Sequence, residues 1–447
     1  GLARHFAQVW LDTSPRFGST LRPGLAYRCS MTDYKPRVVD DLLARYLGAA
    51  PAVNVTGARA TGKTTTALQV SSSHVFLDAD QPELVDAATL NPSAILAGHS
   101  PRLLDEWQLA PQLWGAVRRA VDADPSPGQF LFSGSAWPED GTHRHSGAGR
   151  IIDLPMRPMS LWESGDSAGS FSLSRLLAGE TPIDGEQLSP HSVSDVARLI
   201  TRGGWPAWVE KSAKQAELLV RGYLDTLAQR EFPLVGGTRR SPQRFSDFVR
   251  AYATLTAHPA PLTTVQQRLG EEGLSVGKSY PAQFHEFASR MYLVEDQPPW
   301  APARRSATRL SATAKRHLVD PSLAAAAMGA SHSALEVDPR TLGFLFESLV
   351  LRDVRVYTQP HDGTAMHYRS KDGTAEIDIV VEFRDGRWLG IEVKLSTSAA
   401  MEAAPRLAEV AESIRRPPVG LLLVTPTGTI AEVGERQWVV PIGLLGP

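Results

Sequence analysis

The sequence predicts a multidomain α/β protein, and three observations support this fold class. The chain has 447 residues, a length for which about three domains are expected. Residues 52–70 read as a buried strand, a glycine turn and the start of a helix, which is the repeating unit of a parallel sheet. Residues 367–394 read as three strands joined by tight turns, after a helix over residues 342–356, which indicates a second α/β domain.

The composition is that of a globular chain, with 42% hydrophobic and 21% charged residues. The formal net charge of −2 gives no overall basic field, so a nucleic-acid site would have to be a local patch. The single cysteine, Cys29, excludes an internal disulfide and a multi-cysteine metal site. There is no apolar run of the roughly 20 residues that a membrane span needs, and the first residues do not resemble a signal peptide. We therefore expect a cytoplasmic protein without a membrane partner, in which residues 1–30 are an N-terminal extension.

The strongest motif is a phosphate-binding loop at residues 57–64, which fit G-x-x-x-x-G-K-[ST] at every fixed position. The glycines let the backbone curl until several N–H groups point at one phosphate, and the following helix adds its positive N-terminal end. Lys63 is expected to reach the β- and γ-phosphates of ATP, and the Thr64 hydroxyl to hold Mg²⁺. The predicted nucleotide-binding residues are Gly57, Ala58, Arg59, Ala60, Thr61, Gly62, Lys63, Thr64 and Thr65.

Four polar residues downstream complete the predicted ATP site. The Asp105 carboxylate is expected to support Mg²⁺, usually through water, and Glu106 to polarise the water that attacks the γ-phosphate. Ser133 ends a strand over residues 129–135 and is either a γ-phosphate sensor or part of a Ser-Gly turn. Arg150 either completes the ATP site of a neighbouring subunit, which predicts a homo-oligomer through the ATPase core, or is an ordinary surface arginine.

Seven stretches in a fixed order resemble a prokaryotic family of AAA+-type ATPases that carry an uncharacterised C-terminal domain, and the resemblance spans residues 31–447. These stretches are residues 34–37, 57–65, 103–108, 132–135, 149–150, 154–163 and 203–206. The resemblance implies a bacterial protein in which Pro206 belongs to a helical lid and touches the nucleotide. It also implies that Arg150 stands where AAA+ proteins place an arginine finger. Ala58 replaces the family's usual proline, a change that adds a backbone N–H to the loop.

The middle of the chain has the pattern of a winged helix-turn-helix, with three helices between residues 244 and 290 and a strand over residues 291–294. Such a module binds either DNA or protein, and its third helix carries Lys278, Tyr280, Gln283 and His285. Five basic residues follow and form either a phosphate-binding patch or a solvated charge run. They are Arg304, Arg305, Arg309, Lys315 and Arg316.

A second chemical constellation lies in the C-terminal hairpin. Strand alternation places Glu392 and Lys394 on one face, and Asp378 on the paired strand can meet Glu392. This D…E-x-K spacing is the pattern of PD-(D/E)xK nucleases, in which carboxylates hold Mg²⁺ or Mn²⁺ and the lysine positions the attacking water. Glu347 resembles the helical acid that completes many such sites, and the family resemblance implies a restriction-endonuclease-like fold here.

The predicted architecture therefore has five parts along the chain. They are the extension 1–30, an AAA+-type core 31–165, a linker and helical lid 166–240, a winged helix 241–303 and a nuclease-like domain 304–447. The preferred function is ATP-dependent DNA processing with metal-dependent phosphodiester cleavage. The alternatives are an ATP-driven switch that binds DNA or protein through an inert nuclease fold, and a nuclease directed at RNA.

Overall fold

The structure of the protein is a computed structural model. Its first part, residues 52–155, contains a five-stranded parallel sheet. The described residues are 34–78, 80–136, 147–236, 241–302, 313–370 and 372–447, so the predicted extension 1–30 lies outside them. The strands are β1 (Ala52–Thr56), β2 (Ser73–Phe76), β3 (Arg102–Asp105), β4 (Phe130–Gly134) and β5 (Ile151–Pro155). Their order is β2-β3-β4-β1-β5, with every pair parallel. The predicted parallel core is confirmed, and β4 lies between the loop strand β1 and the Asp-Glu strand β3.

Helices cover this sheet because β1 and β4 are buried along their whole length and need apolar cover on both faces. The amphipathic helix α1 buries Val39, Leu42, Leu43 and Leu47. The helices of the core are α1 (Val39–Ala49), α2 (Lys63–Leu68), α3 (Pro82–Leu90), α4 (Pro92–Ile95) and α5 (Gln112–Ala123), with a 3₁₀ turn at Trp107–Leu109.

The region after the core is more ordered than its Gly-, Ser- and Pro-rich sequence suggests. It contains α6 (Leu161–Ser164), β6 (Phe171–Ser172), α7 (Leu173–Ala178), α8 (Val193–Arg202), α9 (Ala213–Thr226), a π-helical turn (Leu227–Glu231) and α10 (Phe232–Gly236). The expected linker or insertion before the lid is part of the packed structure, because Leu173, Leu176 and Leu177 of α7 are buried. These leucines recur at helical spacing, and that pattern outweighs the turn-forming residues around them.

Three helices follow in the predicted order: α11 (Pro242–Ala253), α12 (Leu262–Glu271) and α13 (Tyr280–Arg290). The predicted strand over residues 291–294 is reduced to a single bridge, Val294 to Leu318, because Tyr292 adopts a positive φ of 54° directly after α13. Residues 293–297 then run antiparallel to residues 315–319, with Gln297 N donating to Lys315 O at 2.9 Å. We call residues 313–319 the return segment.

The C-terminal part is a six-stranded mixed sheet packed on one long helix. After α14 (Pro321–Ala327), α15 (His332–Glu336) and α16 (Pro339–Thr358) come β7 (Thr364–Arg369), β8 (Glu376–Glu382), β9 (Trp388–Val393), α17 (Thr397–Glu412), β10 (Gly420–Thr425), β11 (Ala431–Gly434), β12 (Gln437–Pro441) and β13 (Leu445–Gly446). Two further 3₁₀ turns lie at Gln359–His361 and Ile442–Leu444. The order is β11-β12-β10-β9-β8-β7, in which β7, β8 and β9 are antiparallel and β9 and β10 parallel. The predicted helix and three-stranded meander are thus present.

Residues from Pro36 onward pack as one unit rather than as separate bodies. One link is the parallel pairing of β13 with β6, which joins the end of the chain to the region after the core. Within the described ranges, none of the helices combines the length and apolarity that crossing a membrane requires.

A buried ion network on α16 is a second link. Arg352 Nη1 lies 2.9 Å from Asp320 Oδ2, and Arg352 Nη2 lies 2.7 Å from Asp353 Oδ1. All three side chains are at most 2% exposed. Burial favours the neutral form of each group, but the two carboxylates outweigh burial and raise the pKa of Arg352.

Replacing Arg352 by Met should leave two buried carboxylates without their cation and lower the free energy of unfolding by about 3–5 kcal/mol. Urea unfolding monitored by circular dichroism measures this change. Arg268→Met is the matched control, because Arg268 pairs with Glu271 at the surface and should contribute less than about 1 kcal/mol. Equal stability of the two variants would contradict a central role for the network.

Candidate functional site

The phosphate loop has the backbone that its glycines predict. Gly57 has a φ of 151° and Gly62 a φ of 98°, and a Cβ at Gly57 would lie 2.1 Å from the Met156 carbonyl oxygen. A larger residue at position 57 is therefore excluded without movement of the chain. Pro206 lies against this loop, since its Cγ is 3.5 Å from the position of a Cβ on Gly62. Pro206 therefore lies beside the loop, and its predicted contact with the nucleotide stays a prediction.

Lys63 begins α2 and is buried beneath the loop. Its Nζ donates to the carbonyl oxygens of Gly57 at 2.9 Å and Ala58 at 2.8 Å. Burial lowers the pKa of Lys63 to about 8, although Glu106 and Asp105 act in the opposite direction. Neutral carbonyls compensate a buried ammonium poorly, so a phosphate group would be a stronger partner for this cation.

Thr64 and Asp105 are held together at the end of β3. The Thr64 hydroxyl donates to Asp105 Oδ1 at 2.9 Å. Burial raises the pKa of Asp105, and hydrogen bonds from Ser133 and Thr64 oppose that rise. Asp105 and Ser133 are also directly opposite each other in the β3–β4 register. The Thr64 hydroxyl and the Asp105 carboxylate thus lie side by side, and both are oxygen ligands of the kind that Mg²⁺ binds beside a phosphate.

Glu106 turns out of the strand in a left-handed conformation, with φ 51°. Its Oε2 accepts a hydrogen bond from the Ser135 hydroxyl at 3.3 Å and another from the Gln108 amide. Neither Gln108 nor Ser135 was assigned a role from the sequence. The signal was the parallel arrangement itself, because polar residues just beyond β3 and β4 must meet at the carboxyl edge of the sheet.

Arg37 is a further loop contact that sequence reasoning missed. It is 7% exposed, and its Nη1 donates to the Thr61 carbonyl at 2.8 Å. Its Nε lies 3.0 Å from Glu163 Oε1, and its Nη2 donates to the Arg157 carbonyl at 2.8 Å. The side chain therefore ties the phosphate loop to the segment that follows β5.

The lid reaches the loop from the other side. Arg59 Nη1 lies 2.6 Å from Glu231 Oε1, which projects from the π-helical turn after α9. The Tyr223 hydroxyl of α9 also donates to the Arg59 carbonyl at 3.1 Å. We call these two contacts the lid latch.

Arg150 lies far from its own phosphate loop. It precedes Ile151, which pairs with Ala52 at the start of β1, whereas the loop follows the opposite end of that strand. Its side chain is paired with Asp122 of α5. Arg150 therefore cannot serve the ATP site of its own chain, and a role at a neighbour's site stays a prediction.

The predicted C-terminal residues converge at the β8–β9 hairpin beside α16. Asp378 Oδ2 accepts from the Val393 N–H at 3.0 Å, and Lys394 Nζ lies 2.6 Å from Glu392 Oε1. Burial, with Asp378 adding to it, raises the pKa of Glu347 to about 8 and that of Glu392 to about 7. We call Glu347, Glu376, Asp378 and Glu392 the carboxylate cluster.

Lys315 of the return segment occupies this cluster, which corrects its assignment to a basic surface patch. Its Nζ lies 2.8 Å from Glu347 Oε1, 3.3 Å from Asp378 Oδ1 and 3.4 Å from Glu376 Oε1. Arg316 is also buried and pairs with Asp296. The other members of that predicted patch, Arg304, Arg305 and Arg309, lie outside the described residues.

The carboxylate cluster does not fit a divalent ion in this arrangement. The ammonium of Lys315 already contacts the oxygens of Glu347 and Asp378 that an ion would need. In the described ranges, no group of three or more His, Cys, Asp or Glu side chains is arranged to hold a metal. Asp378 contacts Lys315 and Glu392 contacts Lys394, so each of these predicted ligands is already paired with a lysine.

The third helix of the predicted winged module offers a small polar surface. Lys278 and Gln283 are exposed, whereas the Tyr280 hydroxyl bonds to the Arg244 carbonyl and His285 Nε2 lies 2.9 Å from Asp296. DNA contact through α13 stays a prediction that rests on two of its four residues.

Comparisons with known proteins match three parts of the chain to families. Residues 49–164 match the model of a family described as an AAA domain, while residues 193–334 and 342–445 each match a domain of unknown function, DUF8612 and DUF4143. Uncharacterized proteins of Mycobacterium bovis (Mb2031c) and Mycobacterium tuberculosis (Rv2008c) are each 27% identical over 381 residues, covering 82% of this chain and 76% of theirs. The Walker-type ATPase PABY2304 of Pyrococcus abyssi is 15% identical, with a TM-score of 0.40 over 64% of this chain and 94% of that one. The family match alone assigns residues 49–164 to an AAA domain, which supports an ATPase core.

Glu106→Gln should preserve ATP binding and slow hydrolysis by about 10²–10⁴-fold, because it removes the base and keeps the shape of the side chain. Single-turnover hydrolysis and fluorescent-nucleotide binding measure the two effects separately. Lys63→Ala should lower both, whereas Glu402→Gln on the exposed face of α17 should change neither. Normal hydrolysis in Glu106→Gln with none in Asp105→Asn would show that the two roles are reversed.

Proposed function

We propose that the protein is an ATP-hydrolysing conformational switch that binds a macromolecular partner. In the core, Lys63 and the loop N–H groups bind the phosphates, and Thr64 and Asp105 are the residues that would hold Mg²⁺, whose charge would neutralise that of the phosphates. Glu106 orients and deprotonates the attacking water, with Gln108 and Ser135 fixing its carboxylate. The observation that carries the switch is the continuous series of contacts from the phosphate loop to the C-terminal half.

The first part of this series runs through arginines. Arg37 binds the loop at Thr61 and the chain at Arg157. The Arg157 guanidinium lies 2.6 Å from Glu295 Oε1. Glu295 belongs to residues 293–297, which pair with the return segment that carries Lys315. A change in the loop is therefore passed through two side chains to the return segment.

The second part uses backbone groups. The Leu161 N–H donates to Asp353 at 3.1 Å, and the Trp162 N–H donates to the Tyr357 hydroxyl at 3.2 Å. On the lid side, the Gly204 N–H donates to Asp320 at 3.1 Å. Asp353 and Tyr357 belong to α16, and Asp320 pairs with Arg352 of the same helix, so the ATPase core and the lid are both connected to α16.

The partner of the switch is proposed to be nucleic acid, with DNA preferred to RNA, contacted through the start of α13 and the residues just before it. Lys278 and Gln283 support this choice. Few residues of this helix are basic, so a protein partner is the alternative. A binding assay must distinguish a protein partner from nucleic acid.

A metal-dependent nuclease is the second candidate function. It is favoured by the convergence of Glu347, Asp378, Glu392 and Lys394, and by Glu392 Oε2, a buried oxygen that has no hydrogen-bond partner among the described residues. This function requires the return segment to withdraw Lys315 from the cluster, so that the carboxylates become free for an ion.

Trapping ATP in Glu106→Gln should change amide hydrogen exchange in the lid, residues 213–236, and in residues 293–297. Arg157→Met should remove the second change and retain the first, because it cuts the contact to Glu295. Arg175→Met, which breaks a surface pair with Asp184, is the matched control. Exchange that responds to ATP only within residues 57–64 would contradict the switch.

If the nuclease candidate is right, the wild type should cleave labelled DNA or RNA with Mg²⁺ or Mn²⁺. Asp378→Ala or Lys394→Ala should abolish cleavage and leave ATP hydrolysis nearly unchanged, because both residues lie outside the ATP site. An absence of cleavage on single- and double-stranded substrates, with and without ATP, would remove this candidate and leave the switch.

A further inference from the structure

We infer that Lys315 is the resident cation of the carboxylate cluster, standing in place of a divalent metal ion, so that the C-terminal fold holds no metal at this site. This inference goes beyond the proposed ATPase switch and does not depend on it.

The chemistry of the ammonium group matches the cluster. A lysine Nζ carries three N–H donors, and three carboxylates face it at 2.8, 3.3 and 3.4 Å. They come from two elements, Glu347 from α16 and the Glu376–Asp378 pair from β8. The Lys315 side chain is 2% exposed, so this cation bonds to protein oxygens instead of water.

Each carboxylate of the cluster lies beside a lysine. Glu392 has its own partner in Lys394, at 2.6 Å, and Lys315 serves the other three acids. Burial on its own would lower the pKa of Lys315, but the facing carboxylates outweigh burial and raise it, which keeps the ammonium charged. A divalent ion at the same oxygens would be repelled by this fixed positive charge.

The backbone that delivers Lys315 is anchored on both sides. Lys315 N donates to Gln297 O at 3.0 Å, and Gln297 N donates back to Lys315 O at 2.9 Å. Gln297 is fully buried, and its amide donates to the carbonyls of Met366 and Asp378, each at 2.9 Å. The next residue, Arg316, donates to the Ala260 carbonyl at 2.6 Å.

Withdrawal of Lys315 would therefore break a set of buried hydrogen bonds in addition to its ion pairs. Each buried donor or acceptor left without a partner opposes such a movement. Breaking these bonds would also leave the backbone N–H and carbonyl of Gln297 without partners, next to Asp378. These contacts favour a permanent counter-ion over a removable plug.

The test measures Mn²⁺ binding to nucleotide-free full-length protein by electron paramagnetic resonance, and melting temperature by calorimetry. Every protein in the test, including the parent to which the variants are compared, carries Asp105→Asn. This change removes the carboxylate that would hold a metal ion at the ATP site. Lys315→Ala should lower the melting temperature and gain one Mn²⁺, with a Kd at least about tenfold below that of the parent. Mn²⁺ should then raise the melting temperature of Lys315→Ala and leave the parent unchanged.

Two further variants locate the gained ion. Adding Asp378→Asn to Lys315→Ala should abolish Mn²⁺ binding, because it removes a ligand. Lys394→Ala is the matched control, since it removes a lysine of the same region and leaves Lys315 in place, so it should gain no ion. Mn²⁺ binding by the parent that Asp378→Asn abolishes would overturn the inference.

A variant that fails to fold would still be informative. If Lys315→Ala is unfolded without Mn²⁺, the double change Lys315→Met and Glu347→Gln, which removes the ammonium and one of the acids facing it, should restore folding. An unfolded double variant, or a Lys315→Ala protein that melts with the parent, would show that the ammonium does not hold the cluster together.

Discussion

The structure depends on one constraint, which is that the charged residues of α16 are buried and must each be paired. This helix is buried along nearly its whole C-terminal portion, from Leu345 to Thr358. It nevertheless carries Glu347, Arg352, Asp353 and Arg355. An unpaired charge at such depth is costly, so every one of these groups requires a partner from another part of the chain.

Those partners come from every other region of the protein. Asp320 follows the return segment, Lys315 lies within it, Leu161 follows the core sheet, and the Glu295 and Asp296 carbonyls that accept from Arg355 precede the return segment. The parts that the sequence separates into modules therefore meet at one helix. This explains why residues from Pro36 onward behave as one packing unit.

Two buried lysines show how partner chemistry decides function. Lys63 is held by neutral carbonyls, and burial lowers its pKa to about 8. Lys315 is held by carboxylates, which raise its pKa above the ordinary value. The first lysine gains from exchanging its partners for phosphate, and the second would lose by exchanging its own. One site is therefore built to bind and release a ligand, and the other is built to remain closed.

The sequence could predict the features that depend on local pattern. The phosphate loop, the buried strands near it and the C-terminal meander follow from glycine spacing, apolar runs and alternation, which short-range physics determines. The position of Lys315 could not be predicted, because it lies 32 residues from Glu347 and 63 from Asp378. In the sequence it follows Arg304, Arg305 and Arg309, and nothing local separates a buried lysine from a solvated one. Arg37 was missed for the same reason, since its partners Thr61 and Glu163 are distant in sequence.

The unequal strength of the contacts indicates which part of the switch moves. The Arg59–Glu231 pair of the lid latch is partly exposed, with Arg59 at 49%, and such pairs contribute at most about 1 kcal/mol. The anchor of the same lid at Gly204 is a buried bond to Asp320, which belongs to the α16 network. The backbone turns between α8 and this anchor at Gly203, which has a φ of 73°. We therefore expect nucleotide exchange to open the latch at low cost while the anchor holds, so that in the proposed switch the end of α9 would move relative to α16.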